Sequence, residues 1–380
     1  MRQSAVSAKT LSAFDPKAKE GDSMIYLLLF AGLFMGWSLG TVDSASAFST
    51  AVATRVVKYR TAVIIIAVFV VVGAFISGQT NITRVAALAT SNEVLFSPED
   101  VKTAIENNTV ALLQTKAAIK AAIIYASAGL TVFIMSYLKF PVSSNQSITG
   151  AIIGWGLFYA DYSNPEILNL NLTQIGRFAL TWLLNPLCAC AISFGLVWLI
   201  RLFVEFRLET LSGYDKVITW GYLLAGVFAS YSIGLNSSAN VMALYYDASF
   251  AETGVVANLI TNPRLAATIG GIAIAVGALT FSKRVMMTVG SSIAEISQLE
   301  GFIVVIAMAL TVVLMGNCMG IPVSNSQAIV GAVMGAGLTR GTKNVHFGVL
   351  KNIAIAWVSS PTVAGLLAYT AAFLSRSYFS

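Results

Sequence analysis

The sequence is poor in charged residues. Of its 380 residues only 11% are Asp, Glu, Lys or Arg, whereas 57% are hydrophobic and the mean hydropathy is +0.78. Soluble globular domains carry about 25% charged residues, so this composition excludes an ordinary soluble domain. It predicts a multi-pass protein of the cell membrane. The alternating strands of a membrane barrel are also missing, and the expected fold class is therefore all-α.

Histidine and cysteine are scarce as well. The chain has one histidine, His346, and three cysteines, Cys188, Cys190 and Cys318, all within apolar segments. These residues are too few for a metal cluster, a disulfide framework or a Cys/His nucleophile. Because no nucleophile–base pair is recognisable, we expect no enzyme and no cofactor. The net charge of +6 comes from scattered Lys and Arg near span ends, which is typical of membrane topology and not of a nucleic-acid partner.

Apolar segments recur along the chain and predict ten membrane-crossing helices. They lie at about 24–56, 61–78, 118–138, 141–160, 174–200, 217–246, 264–281, 302–320, 321–338 and 350–375. The basic residues at their ends are Arg55, Lys58, Arg60, Lys139, Arg201, Arg207, Lys283, Arg284, Arg340 and Lys343. If all of these are cytoplasmic, both termini are on the outer side and 79–117 is an outer loop. Residues 1–23 have no apolar core and are expected to form a tail, not a cleavable signal.

Three motifs occur twice, in the same order in each half. GTVDSAS at 40–46 pairs with GLNSSAN at 234–240, and Trp182–Pro186 pairs with Trp357–Pro361. The third pair, 141–157 and 322–338, is identical at 10 of 17 positions. Paired motifs lie five predicted spans apart, so the halves should cross the bilayer in opposite directions.

Such an inverted repeat is typical of secondary transporters, although channels can share it. We expect broken helices or helical hairpins at the midplane, with GTVDSASAF at 40–48 as the broken centre of the first span. The predicted division is a first repeat at 24–200, a cytoplasmic linker at 201–216 and a second repeat at 217–380.

Asp43 is a carboxylate within the first predicted span. A charge at that depth costs about 2.5–3.5 kcal/mol or more, so it usually has a function, although an Asp that only pairs with a neighbouring helix is the alternative. Carboxylate, amide and hydroxyl oxygens are ligands that a hard cation such as Na⁺ prefers. The predicted cation-binding residues are Asp43, Ser46, Asn236, Ser237 and Asn240.

The repeated PVS stretches, which we call the two arms, predict helix starts rich in hydroxyl and amide groups. We expect Pro141 and Pro322 at the first helical position, where a proline needs no N–H partner. Unpaired backbone N–H groups and the helix dipole favour an anion there. The alternative is that serine and glycine serve only helix packing. The predicted anion-binding residues are Ser143, Ser144, Asn145, Gln146, Ser324, Asn325, Ser326 and Gln327.

These motifs resemble those of the inorganic phosphate transporter family, which contains sodium- or proton-coupled phosphate permeases and also sulfate permeases. That family repeats G-A-N-D-x-x-N-A and P-V-S-T-T-H in inverted halves, and the resemblance covers about 30–375. It implies alternating access, Na⁺ or H⁺ coupling, a tetrahedral oxyanion substrate and a homodimer in the lipid bilayer. In phosphate members the paired acids are thought to hold sodium. Here Ser237 replaces the second acid, and Gln146 and Gln327 replace the histidines.

The substrate is predicted to be phosphate, with sulfate as the alternative and an anion channel less favoured. A buried carboxylate accepts a hydrogen bond from protonated phosphate, whereas sulfate has no proton to donate at neutral pH. Asp43 therefore favours phosphate if it contacts the anion. The loss of the second acid and of both histidines favours sulfate. A channel would share the symmetry but would conduct without a driving ion gradient.

Overall fold

A computed structural model describes residues 16–82, 95, 98–107, 109–159, 172–204, 211–247, 262–319 and 323–379. These residues form helices, with one isolated β-bridge between Ala294 and Val345. In chain order the helices are α1 Pro16–Ala53, α2 Tyr59–Ser77, α3 Pro98–Glu106, α4 Val110–Tyr137, α5 Ser144–Tyr159, α6 Leu172–Val204, α7 Leu211–Ser237, α8 Ala239–Asp247, α9 Pro263–Phe281, α10 Lys283–Ser291, α11 Gln298–Met319, α12 Asn325–Leu338 and α13 Phe347–Phe379, with a 3₁₀ turn at Thr342–Asn344 before α13.

Seven segments of the described chain are long and apolar enough to cross a membrane. They are Tyr59–Ser77, Leu112–Tyr137, Gly176–Leu202, Asp215–Tyr246, Pro263–Phe281, Gln298–Met315 and Phe347–Phe379. The protein is therefore an integral, all-α membrane protein, as its composition predicts. These seven segments are counted only within the described residues, so the predicted count of ten spans stays a prediction.

Two predicted spans are short helices. α5 has 16 residues and α12 has 14. At 1.5 Å per residue they measure about 24 and 21 Å, less than the roughly 30 Å hydrocarbon core. As described, α12 is too short for the complete crossing predicted at 321–338, and the described part of α5 is shorter than the crossing predicted at 141–160. α5 packs against the preceding α4, and α12 packs against the preceding α11, so each pair forms a helical hairpin.

The predicted break at Asp43 is also wrong, because α1 continues without interruption through GTVDSASAF. Thr41 donates to the carbonyl oxygen of Ser38 at 2.6 Å, and Asp43 accepts from side chains of other helices, so neither side chain displaces a backbone bond of α1. The paired stretch in the second half is broken. There α7 ends at Ser237 and α8 begins at Ala239, with a turn at Ser238.

Two glycines hold the short helices against long ones, at equivalent positions of the repeated motif. A Cβ atom placed on Gly150 of α5 would lie 2.2 Å from the carbonyl oxygen of Pro361 in α13. A Cβ atom on Gly331 of α12 would lie 2.1 Å from the carbonyl oxygen of Pro186 in α6. Real Cβ atoms do not approach so closely, so both contacts need glycine and bring helix backbones together.

We expect Gly331→Ala to destabilise the protein by about 1–3 kcal/mol or more, because the added methyl group forces α12 away from α6. The measurement is thermal unfolding in detergent micelles. Gly195→Ala is the matched control, since Gly195 lies in α6 with nothing within 4 Å of its missing Cβ atom. That substitution should leave the stability unchanged or raise it by up to about 1 kcal/mol. Equal melting of the two variants would contradict the packing argument.

Glu300 links the ends of three helices through ion pairs and a hydrogen bond. Its side chain is 4% exposed and contacts Arg201 of α6 at 2.5 Å and Arg340, which follows α12, at 2.7 Å. The backbone N–H of Ser297 donates to the same carboxylate at 2.7 Å. This cluster links α6, α11 and the end of α12, and so stabilises the base of the second hairpin.

Candidate functional site

The carboxylate of Asp43 is the centre of the candidate site. Asp43 is 2% exposed and lies in the C-terminal half of α1. Its Oδ2 accepts a hydrogen bond from Ser237 Oγ at 2.8 Å, at the end of α7. In the first turn of α12, Ser326 Oγ donates to Oδ1 at 3.1 Å and Asn325 Nδ2 donates to Oδ2 at 3.4 Å. The fold therefore gathers candidates that are far apart in sequence around one acid.

The charge of Asp43 is met by neutral groups. Within the described part of the chain no basic side chain forms an ion pair with it. The three hydrogen bonds from hydroxyl and amide groups lower the cost of burial, but they leave the negative charge itself uncompensated. A monovalent cation placed beside this carboxylate would be stabilised by that charge. The donors Ser237 and Asn325 also contact one another at 3.0 Å.

The two arms begin with the same serine cap. In the second arm, Ser324 has extended backbone angles and its Oγ accepts from the backbone N–H of Gln327 at 3.2 Å. In the first arm, Ser143 Oγ accepts from the backbone N–H of Gln146 at 3.3 Å. Each cap satisfies one N–H group of a first turn and leaves others for a ligand.

This geometry corrects the expected role of the prolines. α5 begins at Ser144, so Pro141 lies two residues before the cap and not at the first helical position. A serine side chain, not a proline, therefore starts the helix. Pro322 lies outside the described residues.

Asn236 and Asn240, predicted as cation ligands, contact the arms. Asn236 Nδ2 donates to the carbonyl oxygen of Val323 at 2.6 Å, and the backbone N–H of Val323 donates back to Asn236 Oδ1 at 3.3 Å. Asn240 Nδ2 donates to Asn145 Oδ1 in the first arm. The segment around the α7–α8 break therefore positions both arms, and Asn236 contacts Val323 with both atoms of its amide.

Two residues that were not predicted from the sequence hold the arms in place. Asn185 Nδ2 donates to the carbonyl oxygen of Ser324 at 2.7 Å, and Trp357 Nε1 donates to the carbonyl oxygen of Pro141 at 2.8 Å. Both belong to the repeated Trp–Pro motif. The signal was present in that repetition, because a polar Asn185 directly before Pro186 is unusual in an apolar span.

Several buried polar atoms of the same segments have no hydrogen-bond partner. Gln327 is 1% exposed and both atoms of its amide are unpartnered; Gln146 Oε1 and Ser46 Oγ are also unpartnered. An unsatisfied buried polar group costs about 1–3 kcal/mol. These atoms therefore fit a polar ligand that pairs with them. The remaining candidate, Ser144, is buried in the first turn of α5.

Comparison with known proteins agrees with this arrangement. The model of the phosphate transporter family matches residues 39–212 and 205–368, which together cover most of the chain. The chain belongs to the phosphate transporter family. Members of this family are transporters, so the expectation that the protein is not an enzyme is confirmed.

Relatives of this family member include proteins named for two different anions. It is 26% identical to "Putative phosphate permease TK2061" of Thermococcus kodakarensis, over 91% of this chain and 96% of the relative. It is 27% identical to the sulfate permease CysP of Bacillus subtilis, over 93% of this chain and 89% of the relative. A solved structure, "The sodium-dependent phosphate transporter", has the same fold, with a TM-score of 0.74 and 23% identity over 93% of this chain and 99% of that one.

Proposed function

We propose that this protein is a cation-coupled secondary transporter that imports inorganic phosphate by alternating access. The observation that carries the proposal is Asp43 of α1, a buried carboxylate whose partners in the described part of the chain are neutral and come from the α7–α8 break and the second arm. A buried, uncompensated charge attracts a cation. The name of the Thermococcus kodakarensis relative supports phosphate as the substrate, and the name of the sodium-dependent structure supports Na⁺ as the coupling ion.

The anion would bind at the two arms. Their helix starts combine first-turn N–H groups, positive dipole ends and the amide of Gln327, whose Nε2 has no partner and can donate to an anion. Hydroxyl groups of Ser144 and Ser326 are the other candidates. A cation at Asp43 would compensate both the carboxylate and the anion at low dielectric, and without it the two negative charges would repel each other. This mutual dependence is the proposed origin of coupling.

Alternating access would follow from the two-repeat plan. The equivalent contacts of Gly150 and Gly331 support two halves built alike, each with one hairpin packed against one long helix. We propose that the halves run in opposite directions, that the hairpin ends meet near the midplane, and that rocking of one half against the other exposes the site to each side in turn. The division at 201–216, the outer termini and the homodimer are parts of the same proposal.

Sulfate is a second candidate, and the bonding of Asp43 favours it. Its carboxylate already accepts three hydrogen bonds, from Ser237, Asn325 and Ser326. A carboxylate has about four acceptor positions, so little capacity remains for the proton of a phosphate anion. If that proton meets no free acceptor, selection of phosphate over sulfate is lost. The sulfate permease among the relatives supports this alternative.

The test is uptake of labelled phosphate and labelled sulfate into proteoliposomes under imposed Na⁺ or H⁺ gradients. If one cation accompanies each anion, an inward tenfold cation gradient should support up to about tenfold accumulation of the substrate at zero membrane potential. A matched preparation with equal cation on both sides should equilibrate the anion without accumulating it. Flux that ignores both gradients would indicate a channel, and the absence of uptake of either anion would exclude the proposed transport.

A further inference from the structure

A cleft with basic residues in its lining lies apart from the site around Asp43. The end of α9, the short helix α10 and the turn after α4 line it. Three exposed basic residues share it, Lys139, Lys283 and Arg284, and no carboxylate lies among its lining residues. Within the described part of the chain none of the three forms an ion pair. Three adjacent positive charges without a counter-ion favour an anionic ligand.

The backbone of Lys139 is in a conformation that normally belongs to glycine. Its φ is +69°, at the residue that closes α4. The Lys139 N–H donates to the carbonyl oxygen of Ser136 at 2.9 Å, and the next N–H, of Phe140, donates to Met135 at 2.9 Å. This is the helix-ending motif in which glycine predominates at the left-handed position. A lysine here keeps backbone strain that a glycine would not have.

Aromatic rings hold the other two cations in place. The guanidinium of Arg284 lies 5.0 Å from the ring centre of Tyr137 and 5.3 Å from that of Phe281. The Lys283 ammonium lies 5.8 Å from the ring centre of Tyr59. Stacking on a ring face restrains a guanidinium without using its N–H donors, so those donors stay available for a planar or tetrahedral oxyanion.

The surroundings combine these charges with apolar surface. Tyr137 is 55% exposed and Met287 is 38% exposed. Trp37, whose Nε1 donates to Thr280 at 2.8 Å, lies near Phe281 in the layer beside the cleft. Tryptophan and tyrosine at the ends of apolar helices are typical of the membrane–water boundary. Lys139 also lies four residues before Ser143, so the cleft adjoins the turn that leads into the first arm.

We propose that this cleft binds a phosphate-type oxyanion through Lys139, Lys283 and Arg284. The group can come from two sources, the headgroup of an anionic phospholipid or free inorganic phosphate. A headgroup would place its acyl chains along the exposed apolar surface near Tyr137. Free phosphate would occupy the cleft next to the hairpin of α4 and α5.

The decisive variant is Lys139→Gly, because it removes the charge and relieves the backbone strain at the same time. Arg55→Gly is the matched control. Arg55 closes α1 with the same motif, at φ +61°, with its N–H bonded to Val52 and the next N–H bonded to Ala51, and it does not line the cleft. Both variants should melt no lower than the parent protein, so a loss of binding specific to Lys139→Gly cannot come from unfolding.

Two probes distinguish the sources. Native mass spectrometry counts phosphatidylglycerol retained on the purified protein, with phosphatidylcholine as the neutral comparison. Equilibrium dialysis in lipid-free detergent measures bound inorganic phosphate. We expect Lys139→Gly to weaken one of these interactions about tenfold and Lys139→Gly combined with Lys283→Gln about 100-fold, the loss of one and two charge-assisted contacts.

The results with the two probes show which anion the cleft binds. Loss confined to phosphatidylglycerol assigns the cleft to lipid, and loss confined to inorganic phosphate assigns it to the free anion, since the residues around Asp43 are intact in both variants. Unchanged binding of both probes in the double variant, or an equal loss in Arg55→Gly, overturns the proposal. A failure of this proposal does not test the proposed transport function, which is tested by the uptake experiment.

Discussion

Asp43→Asn should lower cation-driven uptake of the transported anion about 100-fold. The substitution keeps the size of the side chain and removes the only charge that the described structure places at the candidate site. A charge-assisted contact of this kind contributes about 1.5–3 kcal/mol, and about 2.7 kcal/mol corresponds to a factor of 100. The initial rate of uptake, measured over a series of cation concentrations in proteoliposomes, gives the size of the effect.

The fold should survive this change. The hydroxyls of Ser237 and Ser326 can rotate, so they can accept from the new amide as well as donate to it. Thr54→Val, an isosteric loss of polarity directly after the last residue of α1, is the matched control, because within the described chain the Thr54 hydroxyl bonds carbonyl oxygens of the last turn of α1. If Asp43→Asn transports like this control with the same cation dependence, Asp43 is not the coupling residue.

The position of the site could be predicted from the sequence because charged and polar side chains are unusual within a membrane span. Asp43 is a charged residue within an apolar segment. The repeated arms contain a second set of polar groups. Repetition also indicates that Asp43 and Ser237 occupy equivalent positions, and the structure places these two side chains in direct contact. Local composition, periodicity and repetition are properties of the sequence that do not depend on tertiary contacts.

Features that depend on tertiary contacts could not be predicted in this way. Whether a polar stretch breaks a helix depends on where its side chains find partners: α1 stays intact because Asp43 is satisfied by Ser237, Asn325 and Ser326 from elsewhere in the chain. The role of Asn185 likewise depends on a carbonyl oxygen 139 residues away. The short length of α5 and α12 could not be predicted from hydropathy, because apolar residues continue across the turn between the two helices of each hairpin.

Ser237→Asp should make transport strongly dependent on Na⁺. Ser237 Oγ lies 2.8 Å from Asp43 Oδ2, so a carboxylate at this position would stand close to the first one. Two charges about 4 Å apart repel by about 4 kcal/mol at an effective dielectric constant near 20. A cation between them removes that repulsion. We therefore expect uptake to fall at least 100-fold without Na⁺ and to recover as Na⁺ is added, with phosphate favoured over sulfate, as the resemblance to family members with paired acids implies.

Ser237→Asn separates the effect of charge from that of size. Its side chain matches that of aspartate in volume and still offers a donor to Asp43, so it should perturb the packing equally without adding repulsion. The measurement is the initial rate of phosphate and sulfate uptake across a Na⁺ series for the parent and both variants. A Na⁺ requirement in Ser237→Asp alone would support the view that Ser237, by donating to Asp43, takes the place of a second acid and its cation. Identical Na⁺ curves for the two variants would show that position 237 does not determine the coupling ion.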